Sequence, residues 1–140
     1  MAVVIRPATA ADADALFPLA AALSSSFAVE RGAFDRSLHA LVADDSAALL
    51  VAEIGDALGG YLLGFDHFTF YANGRVAWIE EILVVETARR GGIGAALDAA
   101  FESWARDRGC RLVALATRRA APFYLACGYE ESASYFRKLL

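Results

Sequence analysis

A glycine-rich turn that carries two arginines lies between an apolar run and a helical pattern. The run is "ILVVETA", residues 82–88, and the turn opens with "RRGGIG" at residue 89. A glycine-rich turn at a helix N-terminus presents unpaired backbone N–H groups and the positive end of the helix dipole, and it lets phosphate oxygens approach the backbone. Arg89 and Arg90 add positive charge that pairs with phosphate. The turn therefore predicts a site for a phosphate-bearing ligand; the alternative is a mobile turn whose arginines are only solvated.

The spacing of the glycines narrows the class of ligand. The turn lacks the G-x-x-x-x-G-K-[ST] pattern of nucleotide triphosphatases. It also lacks a G-x-G-x-x-G run with an acidic residue about 20 positions later, at the end of a strand. Both absences argue against ATP, GTP and dinucleotides.

Two adjacent glutamates, Glu80 and Glu81, interrupt a strand pattern made of Val, Trp, Ile and Leu. Successive strand residues point to opposite faces, so the two carboxylates share one pocket wall only if the strand is irregular there. We expect one of them to face a ligand. The alternative is that either glutamate forms a structural ion pair with an arginine.

The elements that position these residues follow from apolar periodicity and turn signals. The pattern predicts a meander of three strands and then a strand-helix-strand crossover, which indicates an α+β fold with a mixed sheet. The main helix follows the glycine turn and ends at Gly109. Predicted strands cover residues 3–8, 47–54, 57–71, 75–85 and 110–117, and predicted helices cover residues 9–25, 34–44 and 121–126, with strand-like residues at 129–140.

Composition limits the partners. A length of 140 residues fits one domain over residues 1–140, and a net charge of -4 argues against nucleic acid or an anionic membrane as the partner. The chain has no apolar stretch near the roughly 18 residues of a spanning helix, and its start does not look like a signal peptide, so we expect a cytoplasmic protein. Cys110, Cys127, His39 and His67 are too scattered for a metal site, and none is expected.

The sequence resembles the GNAT-type N-acetyltransferase superfamily, in particular its small-amine and polyamine acetyltransferases. Arg89, Gly92 and Gly94 match the motif [QR]-x-x-G-x-[GA]. Three longer segments carry the rest of the resemblance: "IRPATAADADAL", "WIEEILVVETARRGGIGAAL" and "APFYLACGYEESASYFRKLL". The resemblance implies a mixed, mostly antiparallel twisted sheet flanked by about four helices. It also implies acetyl-CoA as cosubstrate, a small-molecule amine as acceptor, and a homodimer.

The resemblance also implies which residues contact acetyl-CoA. The strand before the turn is expected to offer its backbone to the pantetheine arm, and the turn amides to hold the pyrophosphate. Thr117 stands where the family often has asparagine, which puts that contact in doubt, and Arg118 and Arg119 are candidates for the 3'-phosphate. The expected cofactor residues are Leu83, Val84, Val85, Arg89, Arg90, Gly91, Gly92, Ile93, Gly94, Ala95 and Thr117.

Two side chains are expected to move protons. By resemblance, Tyr124 in "APFYLACGY" protonates the departing thiolate of CoA, for which its ordinary pKa of about 10 is suited. Glu80 is the expected base, because an alkyl ammonium with a pKa of about 10.4 has no lone pair at neutral pH. Glu81 is the second choice for base, or a partner that holds the cation. The expected acceptor regions are residues 24–34, Asp66, His67 and residues 129–135, and the acidic groups that would attract an amine are Glu30, Asp66, Glu80, Glu81, Glu130 and Glu131.

Other functions stay open from the sequence. A CoA-binding regulatory or interaction module would keep the fold and lose turnover. An acyl-enzyme route through Cys127 lacks a basic partner in the sequence. A binding domain unrelated to CoA would require the match of the turn to be coincidence.

Overall fold

The computed structural model describes residues 2–140, which form a five-stranded sheet with helices on both faces. The strands are β1 (Val3–Pro7), β2 (Ala47–Ile54), β3 (Ala57–Thr69), β4 (Gly74–Val84) and β5 (Val113–Leu115). The helices are α1 (Ala13–Leu23), α2 (Arg31–Val42), α3 (Ile93–Asp107) and α4 (Ala121–Ala126), and 3-10 turns occupy Ala10–Asp12 and Glu86–Ala88.

The strands lie in the order β1-β2-β3-β4-β5. The first four pair antiparallel, and β5 pairs parallel with β4. Short turns join β2 to β3 and β3 to β4, whereas a parallel pair needs a crossover, which α3 supplies. The predicted fold, a mixed and mostly antiparallel sheet with four flanking helices, is confirmed.

Alternate residues of the strands build two cores, one on each face of the sheet. On β2, Leu50 and Ala52 face α3, and Leu49 and Val51 face α1 and α2. The α3 core consists of Ala48, Leu50, Ala52, Leu62, Ala77, Ile79, Ile93, Leu97, Phe101 and Ala105. The α1–α2 core consists of Ala8, Leu16, Leu19, Leu38, Leu49, Val51, Tyr61 and Leu63.

Helix α3 lies close to β3 because a glycine leaves room for an aromatic ring. A Cβ atom on Gly64 would lie 2.3 Å from the Phe101 ring and 2.9 Å from the Trp78 carbonyl oxygen. Phe101 is fully buried in that space and stacks on Trp104, with 5.4 Å between ring centroids. This contact fixes the depth at which α3, and with it the glycine turn, is placed on the sheet.

Asp66 belongs to a structural ion-pair cluster rather than to an acceptor site. Its buried carboxylate accepts hydrogen bonds from Arg108 at 2.7 Å and from Arg75 at 3.1 Å. Burial alone raises the pKa of a carboxyl group, but the two guanidinium groups outweigh this effect and lower the pKa of Asp66. The cluster ties the β3–β4 hairpin to the end of α3.

Four element predictions differ from the structure. Helix α2 begins at Arg31 instead of residue 34, and strand β5 covers only Val113–Leu115 of the predicted residues 110–117. Thr9, the predicted N-cap of the first helix, does cap it, through a capping box with Asp12, and Arg6 holds the Asp12 carboxylate at 2.8 Å. The capped turn at Ala10–Asp12 is a 3-10 turn, however, and the α-helix itself begins at Ala13. The predicted strand at residues 129–140 is wrong: no strand forms there, and residues 130–140 are exposed. An alternating pattern does not make a strand where no neighbouring edge pairs with its backbone.

Candidate active site

The glycine turn presents a series of free amide groups at the start of α3. Arg90 and Gly92 both have left-handed backbones, with φ of +70° and +82°. Gly92 makes no side-chain cap, and the first helical bond runs from the Ala96 amide to the Gly92 carbonyl at 2.9 Å. Within residues 2–140, the amides of residues 90–95 have no backbone acceptor. Such a turn suits a diphosphate, as the sequence predicts.

Strand β4 has an unpaired edge beside the glycine turn. Its parallel pairing with β5 covers only Ala77 to Ile79, although β4 continues to Val84. The Val85 amide donates to Gly59 of β3 at 2.9 Å, so by strand alternation the backbone groups of Val84 face the gap on the other side. Arg89 donates from Nε to the Val84 carbonyl at 3.0 Å. Of the three strand residues expected to contact the cofactor, Val84 has the backbone best placed for it.

Strand β4 is irregular at the glutamate pair. Leu63 pairs with Glu81 and Gly64 pairs with Ile79, which leaves Glu80 without a partner on β3. An extra residue of this kind reverses the alternation of the residues after it. Glu80 and Glu81 therefore lie on the same face, the one that also packs against α1 and α2.

Both glutamates line a cavity of about 1030 Å³ between that face of the sheet, the segment joining α1 to α2, and the C-terminal segment. Thr117 lies on the same wall. The Tyr61 hydroxyl donates to Glu81 Oε1 at 2.7 Å, and burial together with the Glu81 charge raises the pKa of Tyr61. Glu80 is exposed to solvent, and within residues 2–140 neither glutamate forms an ion pair with arginine. The structural ion pair considered from the sequence does not form.

Only some of the six acidic residues that were expected to attract an amine line this cavity. Glu30 lies on its wall with the glutamate pair, at 3.9 Å from Arg36. Asp66, Glu130 and Glu131 lie outside the wall, and so does His67. The N-terminal helices and the segment between them supply most of the opposite wall, as expected, and Tyr135 and Arg137 close one side.

Tyr124 is buried beside the start of α3, not on the cavity wall. Its ring packs edge-on against Phe123 and Tyr129, at centroid distances of 5.0 and 5.6 Å. A Cβ atom on Gly94 would lie 3.2 Å from Phe123, so α4 packs directly on the glycine turn. Burial, with smaller contributions from Asp98 and Cys127, raises the pKa of Tyr124 to about 12. Its proton is therefore held more tightly than an ordinary phenol pKa implies.

The remaining candidates on this side have structural roles or are solvated. Thr117 Oγ1 accepts a hydrogen bond from the Ala120 amide at 3.0 Å and so supports the entry to α4. Arg118 and Arg119 are exposed. Burial, Asp98 and Glu102 raise the pKa of Cys127, which is the opposite of an activated thiolate.

Two contact residues, Tyr61 and Asp98, were missed from the sequence, and Tyr129 was included only as part of the segment 129–135. Tyr61 meets Glu81 only through the register of β3 and β4, which no local pattern states. The Tyr129 hydroxyl donates to Asp98 at 2.7 Å across 31 positions of sequence. An aspartate among the apolar positions of α3 was the one available signal for that pair.

Within residues 2–140, no helix is long and apolar enough to cross a membrane, and no three potential metal ligands lie together.

Comparisons with known proteins agree with this geometry. The Acetyltransferase (GNAT) family matches residues 15–129. A curated relative, aminoglycoside N(6')-acetyltransferase type 1 of Klebsiella aerogenes, is 40% identical over 74% of this chain and 73% of its own length. Glucosamine-6-phosphate N-acetyltransferase from Arabidopsis thaliana shares the fold with a TM-score of 0.88 at 21% identity, covering 99% of both chains. AAC(6')-Iy, solved with the bisubstrate analogue CoA-S-monomethyl-acetylneamine, has a TM-score of 0.83 at 21% identity and full coverage of both chains. This chain therefore belongs to the GNAT family of acetyltransferases.

Proposed function

We propose that this acetyltransferase moves the acetyl group of acetyl-CoA to a primary amine of a small molecule, and that the molecule is an aminoglycoside acetylated at its 6'-amine. One observation carries the chemistry: the irregularity in β4 places two carboxylates without arginine partners on one cavity wall, beside an unpaired strand edge. The choice of acceptor follows the relative from Klebsiella aerogenes, an aminoglycoside N(6')-acetyltransferase that is 40% identical. Aminoglycosides carry several ammonium groups, which an acidic wall attracts.

We infer sites for two parts of acetyl-CoA, its pyrophosphate and its pantetheine arm. The free amides of residues 90–95 would hold the pyrophosphate, with charge from Arg89 and Arg90. The backbone of Val84, at the gap between β4 and β5, would pair with the amides of the pantetheine arm, which lies along residues 83–85. Acetyl-CoA supplies the acetyl group as an activated thioester.

Two residues of the chain would move protons. The amine must first lose a proton, and Glu80 is the proposed acceptor, directly or through a water molecule, because Glu81 already accepts the Tyr61 hydroxyl. Nitrogen then bonds to the carbonyl carbon, the carbon–sulfur bond breaks, and the sulfur takes a proton from Tyr124. The second proton that the nitrogen loses on forming the amide returns to the Tyr124 phenolate through water, and Glu80 releases the first proton to solvent. With a pKa of about 12, Tyr124 stays protonated at neutral pH, as a donor must, but it is a weaker acid toward the thiolate than an ordinary phenol. Glu81 and Glu30 would hold the ammonium groups of the acceptor that do not react.

We further propose that the enzyme acts in the cytoplasm as a homodimer. Acetyl-CoA and reduced thiols are both typical of that compartment, and Cys110 and Cys127 are free. The C-terminal segment exposes apolar side chains that a second copy would cover: Tyr135, Phe136, Leu139 and Leu140.

The test compares two aminoglycosides that differ at one position. Release of free thiol from acetyl-CoA is measured with an aminoglycoside that has a 6'-amine and with a matched one that has a 6'-hydroxyl. We expect turnover with the first alone. Turnover with simple diamines or polyamines but neither aminoglycoside would retain the acetyltransferase and overturn the acceptor. Thermal stabilisation by acetyl-CoA without thiol release from any amine would instead indicate a CoA-binding module.

A further inference from the structure

Asp98 is a buried carboxylate without a positive partner. Three acidic side chains are buried in residues 2–140: Asp12, Asp66 and Asp98. Asp12 pairs with Arg6, and Asp66 pairs with Arg75 and Arg108. Asp98 is only 3% exposed and has no cation within ion-pair distance in that part of the chain. Its neighbour on the same helix, Glu102, shares a hydrogen bond with it but supplies no positive charge. Because an unpaired buried charge is costly, the position of Asp98 on the apolar face of α3 requires another explanation.

The hydrogen-bond partner of Asp98 leads directly to Tyr124. The Tyr129 hydroxyl donates to Asp98 Oδ1 at 2.7 Å, and the Tyr129 ring packs edge-on against the Tyr124 ring. The Tyr129 amide also donates to the Tyr124 carbonyl at 3.0 Å. The ring of Tyr124 is thus held between Phe123 and Tyr129, and within residues 2–140 its own hydroxyl has no hydrogen-bond partner.

Little else fixes α4 in place. No strand forms after β5, so neither α4 nor the residues after it belong to a β-ladder. Thr117 supports the start of the helix, and Phe123 packs on Gly94. The Tyr129–Asp98 hydrogen bond ties the end of the helix to α3.

We propose that Asp98, acting through Tyr129, is a positioning residue that orients the ring of Tyr124 toward the leaving sulfur. The inference rests on the proposed role of Tyr124 as the proton donor. Asp98 touches no reacting atom; its carboxylate fixes the Tyr129 hydroxyl, and the Tyr129 ring fixes one side of Tyr124. Because the Tyr124 hydroxyl has no hydrogen bond within residues 2–140, the packing of its ring sets the direction in which the hydroxyl points.

The first test separates the hydrogen bond from the charge. Tyr129→Phe and Asp98→Leu both remove the bond, and we expect each to lower kcat by at least about tenfold with little change in the KM for acetyl-CoA, because the glycine turn is untouched. Asp98→Asn keeps an acceptor for the Tyr129 hydroxyl, so it should retain kcat to within about threefold. A loss of kcat in Asp98→Asn equal to that in Asp98→Leu would overturn the positioning role.

The second test is a double-mutant cycle with Tyr124→Phe. If Tyr129 acts through Tyr124, then Tyr129→Phe should lower kcat no further once Tyr124 is phenylalanine. Full additivity of the two effects would overturn the inference. A Tyr124→Phe enzyme with unchanged kcat would instead remove the proton-donor role itself, so the two failures are distinguishable.

A third readout needs neither acetyl-CoA nor turnover. With tyrosine labelled at Cζ, a carbon NMR titration of the free protein follows Tyr124 directly. Removing the Asp98 charge in Asp98→Asn should move the Tyr124 titration to lower pH, because the negative charge disfavours the phenolate. An unchanged Tyr124 titration would show that Asp98 and Tyr124 are not coupled in the folded chain and would count against the proposal. Because this result does not depend on the acceptor, it stands whether or not an aminoglycoside is the substrate.

Discussion

Glu80 and Glu81 share a cavity wall but differ in their contacts, and this difference predicts different kinetics. Glu80→Gln is expected to lower kcat/KM for the amine by about 100-fold at pH 7. The deficit should shrink as the pH approaches about 10.4, where the amine loses its proton unaided. Glu81→Gln should mainly raise the KM for the amine. Rates of thiol release between pH 6 and 10 check both variants, and a deficit in Glu80→Gln that is the same at every pH would remove Glu80 as the base.

Arg90 holds a left-handed backbone, which costs a non-glycine residue about 1 kcal/mol or more. Arg90→Gly should therefore raise Tm by about 2 °C, since the added freedom of glycine in the unfolded chain offsets part of the relief. Its KM for acetyl-CoA should rise because a charge near the phosphates is lost. Gly92→Ala is the matched variant, because Gly92 is also left-handed and has open space around its Cβ position. Gly92→Ala should lower Tm. Thermal melts in which Arg90→Gly and Gly92→Ala change Tm in the same direction would contradict the cost assigned to the left-handed backbone of Arg90.

The sequence was sufficient to propose candidate residues in the glycine turn and on the cavity wall, but not to predict their arrangement. Residue types and spacing were sufficient for the glycine turn, because free amides at a helix start follow from local geometry. The shared face of Glu80 and Glu81 depends on a break in the pairing with β3, which is a property of two strands. The Tyr61–Glu81 and Tyr129–Asp98 contacts likewise join distant segments. Only the folded chain reveals them.

At the scale of elements, the distance between α3 and the sheet depends on Gly64. In Gly64→Ala the added methyl group would overlap the Phe101 ring, which is held on all sides in the α3 core. We expect a loss of about 2–3 kcal/mol in the free energy of unfolding. Gly32→Ala on α2 is the control, because its methyl group meets no atom closer than 3.5 Å and alanine favours a helix. It should gain about 0.5–1 kcal/mol. Urea titrations measure the free energy of unfolding of both variants. An unchanged free energy of unfolding in Gly64→Ala would mean that α3 can move outward without cost.

Predicting elements from sequence succeeded where hydrophobic periodicity and turn residues agreed. The meander of β2, β3 and β4 was predicted to within two residues at each end, because Gly55 and Asn73 mark the turns. Strand β5 was predicted too long, since it covers only Val113–Leu115. Pairing with a neighbouring strand determines how long an edge strand is and whether the C-terminal segment forms a strand at all. Local propensity does not predict that pairing.

At the scale of the whole molecule, stability should depend on pH through Glu102. A hydrogen bond with Asp98, together with burial, raises the pKa of Glu102 from 4.5 to about 7. Between those values the folded chain binds more protons at this site than the unfolded chain, so the stability this group contributes is lost as the pH rises through 7. Glu102→Gln imitates the protonated group and should have a Tm about 3 °C above the wild type at pH 8, with a smaller gain at pH 5. Melts across that range test this, and a gain that is larger at pH 5 would reverse the sign.

The proposed homodimer predicts a mass of twice the 14.9 kDa chain. Phe136 is 89% exposed and Leu139 is 66% exposed, so the double variant Phe136→Ser and Leu139→Ser should return the protein to a monomer. Phe70→Ser is the control, because Phe70 is even more exposed and lies at the β3–β4 turn, away from the C-terminal segment. Light scattering during gel filtration gives the mass of each variant. A wild-type mass of one chain at micromolar concentration would refute the dimer.

Glu80 is an extra residue in β4, and it shifts the alternation of the following side chains between the two faces of the sheet. Ile79 and Ile82, three positions apart, both pack against α3, whereas an uninterrupted strand would send one of them to the opposite face. Deleting Glu80 would leave Ile79 and Ile82 two positions apart, so a continuous ladder of backbone hydrogen bonds would keep Ile82 and Val84 under α3 and Leu83 on the opposite face. The repaired strand would thus preserve both cores and remove only one carboxylate from the cavity wall. The extra residue in β4 is therefore needed for the pair of carboxylates and not for the packing of the sheet.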